Sequence, residues 1–202
     1  MRTSSNDLTS MADVPQSSVF DLPLSAIARY MRMGRQVPDG ALAERVEELK
    51  TQALQVIRPA RIWRRVDLPI SVESRSLDRH LAGCHAAYLA CGTIGAEIDA
   101  LQRRVSVKSG TDALVVQAIG AAAIEAWMDS VEDDIRQELE PGERLVSRFS
   151  PGYGDLPLAF QRNLLTVLDT PRKIGVSLTD SLLMVPSKSV SAVIGVRQEG
   201  SR

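Results

Sequence analysis

Aromatic residues are scarce in this sequence, and its positive and negative charges nearly cancel. Phenylalanine, tryptophan and tyrosine make up 4% of the 202 residues, so few side chains are available to stack on nucleic-acid bases. The formal net charge is −1, which gives no overall field that would attract nucleic acid or an anionic membrane. We therefore expect neither a nucleic-acid partner nor a membrane partner.

Long apolar runs are also lacking. The first 18 residues are polar and contain no apolar core of the kind found in signal peptides. The most apolar window, residues 113–127, is interrupted by Gln117, Gly120 and Glu125 and is too short to span a bilayer. These features predict a cytoplasmic protein in which residues 1–18 form a disordered tail and residues 19–198 form one domain.

Histidine and cysteine are too few for an evident metal centre. His80, Cys84, His85 and Cys91 supply all the imidazoles and thiols, and their spacing distributes them around one predicted helix instead of directing them at one point. Neither histidine lies in a loop beside a serine nucleophile, and no G-x-G-x-x-G motif follows a strand. We expect no metal site, no hydrolytic triad and no Rossmann-type nucleotide domain.

Apolar periodicity and turn residues outline the elements that are present. Helices are predicted over residues 24–33, 41–57 and 111–139, and the acids in the second half of the last helix are expected to face water. Strands are predicted over residues 61–72, 145–149, 174–178, 182–185 and 190–197, with a short helix over 158–168. A further helix capped by Ser76 is predicted from an apolar stripe of Leu77, Leu81, Cys84, Tyr88 and Cys91. Helices first and strands last indicate an α+β fold.

The most informative segment is RFSPGYGDLPL, residues 148–158. Its glycines allow backbone dihedrals that other residues avoid, and its prolines reduce the entropy lost when the loop becomes ordered. Arg148 offers a planar cation suited to a carboxylate or phosphate, and Tyr153 offers a flat face with a polar tip. These groups are compatible with a rigid cradle for a small zwitterionic or nucleoside-like ligand, and equally with a structural turn beside a solvated arginine.

Together with KIGVSLTDSLLMVPSKSVSAVIGV (173–196), and more weakly HLAGCHAAYLACGTIGAEID (80–99), this loop resembles the activation, or reactivation, domain of vitamin-B12-dependent methionine synthase. The likeness is closest to short, stand-alone forms of that domain. It implies an N-terminal helical part followed by a twisted, mainly antiparallel sheet. It also implies that S-adenosylmethionine is bound by the arginine and the glycine-tyrosine loop, near the entry to the last strand. The implied site residues are Arg148, Phe149, Ser150, Pro151, Gly152, Tyr153, Gly154, Lys188 and Ser189.

The resemblance implies an accessory component of a cobalamin-dependent methyltransferase, not a complete enzyme. Bound S-adenosylmethionine would support reductive remethylation of oxidised cob(II)alamin. The cobalamin would be held by a methionine synthase module or a related corrinoid protein, and electrons would come from an external donor such as flavodoxin.

Two departures from the family pattern bear on the ligand. Residues 192–195 of the last strand, AVIG, lack the aromatic side chains of the large methionine synthases, and no acidic ligand contact can be placed in the sequence. Glu143 and Arg144, just before the loop, are expected to be solvated.

Two alternatives remain open from the sequence. The chain could be a non-catalytic adaptor that caps a corrinoid protein without binding S-adenosylmethionine. It could also bind cobalamin itself, since Asp78-Arg79-His80-Leu81-Ala82-Gly83 matches the D-x-H-x-x-G pattern that places a histidine under cobalt. The second alternative is disfavoured because the motif lies in a predicted helix and follows the polar run SVESRS, instead of following a buried strand.

Overall fold

A computed structural model describes residues 20–33 and 36–200. The predicted tail, residues 1–18, lies outside these ranges, as does Gly34, at which the first helix was predicted to end. In chain order the elements are α1 (Leu24–Tyr30), α2 (Gly40–Val56), β1 (Ala60–Asp67), α3 (Arg75–His80), β2 (Ala86–Thr93), α4 (Glu97–Ser106), α5 (Gly110–Gln137), β3 (Glu143–Phe149), α6 (Phe160–Leu168), α7 (Thr170–Ile174), β4 (Ser177–Leu178), β5 (Met184–Val185) and β6 (Ser189–Gln198).

Four strands form one antiparallel sheet in the order β1-β2-β6-β3, and β4 pairs with β5 in a small hairpin. The predicted α+β class with a mainly antiparallel sheet is confirmed. As predicted for residues 61–72, β1 precedes the longest helix of the described residues, and β2 also precedes it.

The largest correction concerns residues 86–91, which were expected in a helix and belong to β2, one of the two inner strands of the sheet. All eight residues of β2 are buried, because helices cover both faces of the sheet. Tyr88 belongs to one apolar cluster and Cys91 to the other, as the alternation of side chains along a strand requires. A strand buried on both faces is an unbroken apolar run, and a helical stripe can be read into it by chance.

One face of the sheet packs against α1, α2, α4 and α5. Helix α5 is the centre of this layer: Ser109 caps its start by accepting from the Asp112 amide, and its alanine-rich first half allows close packing. By length and composition this helix could cross a membrane, but 61% of its apolar window is buried inside the fold. That burial is the usual property of a core helix.

The other face packs against α3, α6 and α7. The cap of α3 is Ser74, not the predicted Ser76: the Ser74 hydroxyl accepts from the Leu77 amide. Helix α1 ends at Tyr30, three residues before the predicted end, and β1 ends at Asp67, since Pro69 and the residues after it form a turn.

Glu143, expected in solvent, is buried, with its side chain 3% exposed. Its carboxylate accepts from Arg65 at 2.6 Å and contacts His85 Nε2 at 2.7 Å. The Arg65 hydrogen bond is the main cause that lowers the pKa of Glu143 to about 2. This ion pair joins β3 to β1 across the far end of the sheet from the RFSPGYG loop.

We expect Glu143→Gln to destabilise the fold by about 1–3 kcal/mol at neutral pH, because a carboxylate that accepts charge-assisted hydrogen bonds from Arg65 is lost. A carboxyl group with a lowered folded-state pKa stabilises the fold above its unperturbed pKa of 4.5, and that contribution is lost as the pH falls toward 2. In urea unfolding at pH 7, 4.5 and 3, the free energy of unfolding of the wild type should therefore approach that of the variant as the pH falls. Glu140→Gln, at an exposed neighbouring acid, is the control; equal losses in both variants would contradict the assignment.

Candidate functional site

A cavity of about 500 Å³ lies where α5, the end of β3, the following loop and the start of β6 meet. Its walls come from six segments of the chain, so it forms only in the folded domain. The lining residues are Glu125, Glu132, Ser147, Arg148, Ser150, Pro151, Tyr153, Leu158, Gln161, Met184, Ser189, Val190 and Ser191.

Arg148 is placed by an irregularity in β3. The pairing of β3 with β6 shifts register between Leu145 and Arg148, and such a bulge changes the direction of the side chains that follow it. The Arg148 side chain is 18% exposed and reaches α5, where Nη2 lies 3.0 Å from Glu125 Oε2 and 2.9 Å from Asp129 Oδ1. Its Nη1 lies 3.1 Å from Glu132 Oε1.

These three acids stand at positions i, i+4 and i+7 of α5, so they share one helix face. The acids in the second half of this helix were expected to face water, and this is wrong for Glu132, whose side chain is 13% exposed. Burial raises the pKa of Glu132, although Arg148 and Arg136 act in the opposite direction. One guanidinium facing three carboxyl groups gives this wall an excess of negative charge, which favours a cationic group in a ligand.

One donor nitrogen of Arg148 has no hydrogen-bond acceptor in this cluster. Its Nη1 is buried and forms no hydrogen bond with the described part of the chain, although it lies within ion-pair distance of the Glu132 carboxylate. A buried donor without an acceptor is costly, so this nitrogen is a natural point of attachment for a ligand oxygen.

The loop after Arg148 is held from three sides. Gly152 has φ +93° and donates its amide to the Leu156 carbonyl at 2.9 Å, while Leu156 itself is buried in the core. Asp155 accepts from the Ser74 hydroxyl at 2.6 Å and from the Ser76 amide at 2.9 Å. These bonds lower the pKa of Asp155 to about 2. The loop is therefore fixed against the start of α3 before any ligand arrives.

The structure distributes the predicted site residues over more than one surface. Arg148, Ser150, Pro151, Tyr153 and Ser189 line the cavity, with Tyr153 exposed at its edge. The others do not line it: Gly152 shapes the loop, Phe149 and Gly154 line a neighbouring cavity, and the Lys188 Nζ donates to Gln117 Oε1 at 2.7 Å.

Lys188 is buried against Gly120 of α5, and this burial lowers the pKa of its ammonium group. Its stem occupies the space that a Cβ at position 120 would need. Lys188 therefore connects the start of β6 to α5.

Sequence reasoning missed the acids of α5 and the Ser191 hydroxyl. Glu125 was visible as a charge interrupting an apolar window, and its i+7 spacing to Glu132 was the signal of a shared face. The Ser191 oxygen is buried at the cavity and has no hydrogen-bond partner in the described residues. Ser189, two residues earlier, has two partners, since it donates to Pro186 O and contacts Thr93 Oγ1.

This contrast gives a paired prediction for Ser191→Ala and Ser189→Ala. Removing the unpartnered Ser191 hydroxyl should leave stability unchanged or slightly higher, whereas removing the Ser189 hydroxyl should cost about 1 kcal/mol. If the cavity binds a polar ligand, Ser191→Ala should lower the affinity for that ligand about threefold to tenfold. Thermal unfolding and calorimetric titration measure both effects; a clear loss of stability in Ser191→Ala would show that its hydroxyl is already used.

His80 does not have the setting of a cobalt ligand. It lies at the end of α3, and its Nε2 contacts the Ser147 carbonyl at 2.7 Å. Because a carbonyl only accepts, Nε2 carries the hydrogen. In the described residues no group of three or more histidine, cysteine or acidic side chains is arranged to hold a metal ion.

Comparison with known proteins gives the family. Residues 86–201, which contain β2, α5, the loop and β6, match the family model described as vitamin B12 dependent methionine synthase, activation domain. The chain belongs to this family. Among the solved structures similar to it is the crystal structure of the MetH reactivation domain bound to AdoHcy, with a TM-score of 0.68 and 14% sequence identity. The match covers 96% of this chain and 79% of that one. No curated protein matches.

At 14% identity the structural match establishes the fold of this activation domain, and AdoHcy is a ligand of that other protein. The family match includes the whole RFSPGYG loop and β6, so the segments that carried the resemblance are those that the family model recognises. The suspected family is therefore confirmed.

Proposed function

We propose that this activation domain binds S-adenosylmethionine in the Arg148 cavity and supports the reductive remethylation of cobalamin held by a partner protein. One observation carries the proposal: in a member of the activation domain family, a largely buried arginine whose Nη1 makes no hydrogen bond lies between an acidic helix face and a preformed glycine loop. The proposed setting is the cytoplasm, and the chain acts as a component of a methyltransferase.

The charges of the cavity fit this ligand. S-adenosylmethionine carries one carboxylate and two cationic groups, the ammonium and the sulfonium. Arg148, whose Nη1 makes no hydrogen bond within the described residues, suits the carboxylate, and the lining acids Glu125 and Glu132 suit the cationic groups. The demethylated product, S-adenosylhomocysteine, lacks the sulfonium charge, so the acidic wall favours the methyl donor over its product.

The mouth of the cavity suits a protein partner. Tyr153, Leu158, Leu183 and Val185 are large side chains that are exposed by 59%, 42%, 64% and 48%. Leu158 and Tyr153 line the cavity, and Leu183 and Val185 flank its lining residue Met184. A partner covering this rim would bring its corrinoid to the methyl group and exclude water.

The partner's cobalamin is the substrate in this scheme. One electron from an external donor such as flavodoxin reduces cob(II)alamin, and the reduced cobalt takes the methyl group from the sulfonium, leaving S-adenosylhomocysteine. The residues of this chain bind and orient the methyl donor, and they form no covalent bond with it.

The test is a reactivation assay with a corrinoid methionine synthase module that lacks its own activation domain. Cob(II)alamin on that module, a reductant and S-[methyl-¹³C]adenosylmethionine should give ¹³C-labelled methylcobalamin only when this chain is added. Stoichiometric S-adenosylhomocysteine should accompany it. No increase over the mixture without the chain would overturn the proposal.

A second candidate is an adaptor that caps a corrinoid protein without binding S-adenosylmethionine. It is favoured by the three acids that already contact Arg148 and by the absence of aromatic side chains from residues 192–195. Calorimetry separates the two: an adaptor gives no heat with S-adenosylmethionine, with or without the corrinoid partner.

A further inference from the structure

A second cavity, of about 710 Å³, adjoins the RFSPGYG loop. Ser147 and Phe149 of β3 line it, together with Ser76, Arg79 and His80 from α3, Gly154 from the loop and Arg197 from β6. Arg148 faces the first cavity and Phe149 the second, as expected for successive residues of a strand. The two cavities therefore lie on opposite sides of the end of β3.

This second cavity is basic. Arg79 and Arg197 both line it, and no aspartate or glutamate does. Asp155, next to Gly154, has its carboxylate occupied by Ser74, Arg75 and Ser76. Arg61, Arg65 and Arg148 each have a carboxylate partner elsewhere in the fold.

The two arginines of the cavity differ from those three. Within residues 20–33 and 36–200, neither Arg79 nor Arg197 forms an ion pair, and the buried Arg197 Nε has no hydrogen-bond acceptor. A buried guanidinium nitrogen without an acceptor costs free energy, which an anionic ligand would recover. The residues that line the Arg148 cavity do not supply an acceptor for this nitrogen either.

We propose that this cavity binds a phosphate group, either of inorganic phosphate or of a small phosphorylated metabolite. Guanidinium groups from α3 and β6 offer forked donors to a tetrahedral anion that has several oxygens. The Ser76 hydroxyl accepts from the Asp155 amide, so its own O–H remains able to donate. The volume exceeds that of a phosphate ion and leaves room for an attached organic group.

The test is a titration of the whole chain followed by ¹H–¹⁵N NMR of arginine side chains, with inorganic phosphate, adenosine 5′-phosphate or sodium chloride added at constant ionic strength. Saturable shifts of the Arg197 Nε–H resonance with either phosphate compound, and none with chloride, are expected. Tighter binding of adenosine 5′-phosphate would assign the extra volume to an organic group, and equal binding would assign inorganic phosphate.

Variants locate the site. Arg79→Gln and Arg197→Gln should each weaken phosphate binding at least tenfold. Arg144→Gln is the matched control, because Arg144 is exposed and stands opposite Arg197 in the β3–β6 pairing but does not line the cavity. Arg79 is exposed on α3, so its variant stays informative if Arg197→Gln folds poorly. Shifts that do not saturate, shifts equal to those with chloride, or equal weakening by Arg144→Gln would overturn the proposal.

Discussion

Replacing Arg148 with alanine is expected to weaken S-adenosylmethionine binding about a hundredfold, because the ligand carboxylate loses a charge-assisted, largely buried partner. The acids that Arg148 contacts would be left facing each other without their common cation. Reactivation of the partner should fall in parallel at low ligand concentration. Calorimetric titration of the folded variant, checked by circular dichroism, measures the affinity.

Arg136→Ala is the matched control for that substitution. Arg136 also contacts Glu132, at 2.9 Å, but it is more exposed and does not line the cavity. Its loss should leave ligand affinity within about twofold of wild type, since surface ion pairs contribute little. Arg148→Lys, which keeps the charge without the fork, should be intermediate. Equal affinities in Arg148→Ala and wild type would contradict the assigned role.

The second large effect is expected for Gly154→Ala in the ligand loop. Gly154 has φ +55°, and a Cβ at this position would lie 2.4 Å from Ser76 Oγ and 2.7 Å from Ser76 Cβ. The substitution combines backbone strain with overlap, so we expect a loss of about 2–3 kcal/mol in stability. The displaced loop should also lose most of its affinity for S-adenosylmethionine.

Two further variants test this explanation. Gly110→Ala, at the start of α5, meets no atom within 4 Å and should be neutral or slightly stabilising. Ser76→Gly combined with Gly154→Ala removes the overlap but not the strain, and should recover part of the lost stability. Urea unfolding gives the comparison. A double variant as unstable as Gly154→Ala would show that the Ser76 contact is not the cause.

Much of the fold was predictable because several elements carry local signals. Thr111 and Asp112 mark the start of α5, and Pro141-Gly142 marks its end, so the predicted bounds lie within two residues of the observed ones. Strand β2 carries no such signal. Its identity depends on β1 and β6 pairing on either side and on helices covering both faces, and these are contacts distant in sequence.

The candidate site also has a part that local sequence predicts and a part that depends on distant contacts. The loop from Arg148 to Gly154 was recognisable because its glycines, prolines and arginine are contiguous in the chain. The acids opposite Arg148 come from another element, and the β3 bulge that directs the arginine toward them leaves no mark in the sequence. Glu143 was misjudged for a similar reason, since its partner Arg65 lies 78 residues away.

The central claim is that the Arg148 cavity holds S-adenosylmethionine with its methyl group toward the mouth. The most direct measurement is an isotope-filtered NMR experiment on the S-[methyl-¹³C] ligand bound to the whole chain. The account predicts saturable binding, with magnetisation transfer from the labelled methyl to the exposed Tyr153 ring. Absence of binding at millimolar ligand, or transfer to residues outside this cavity, would contradict it.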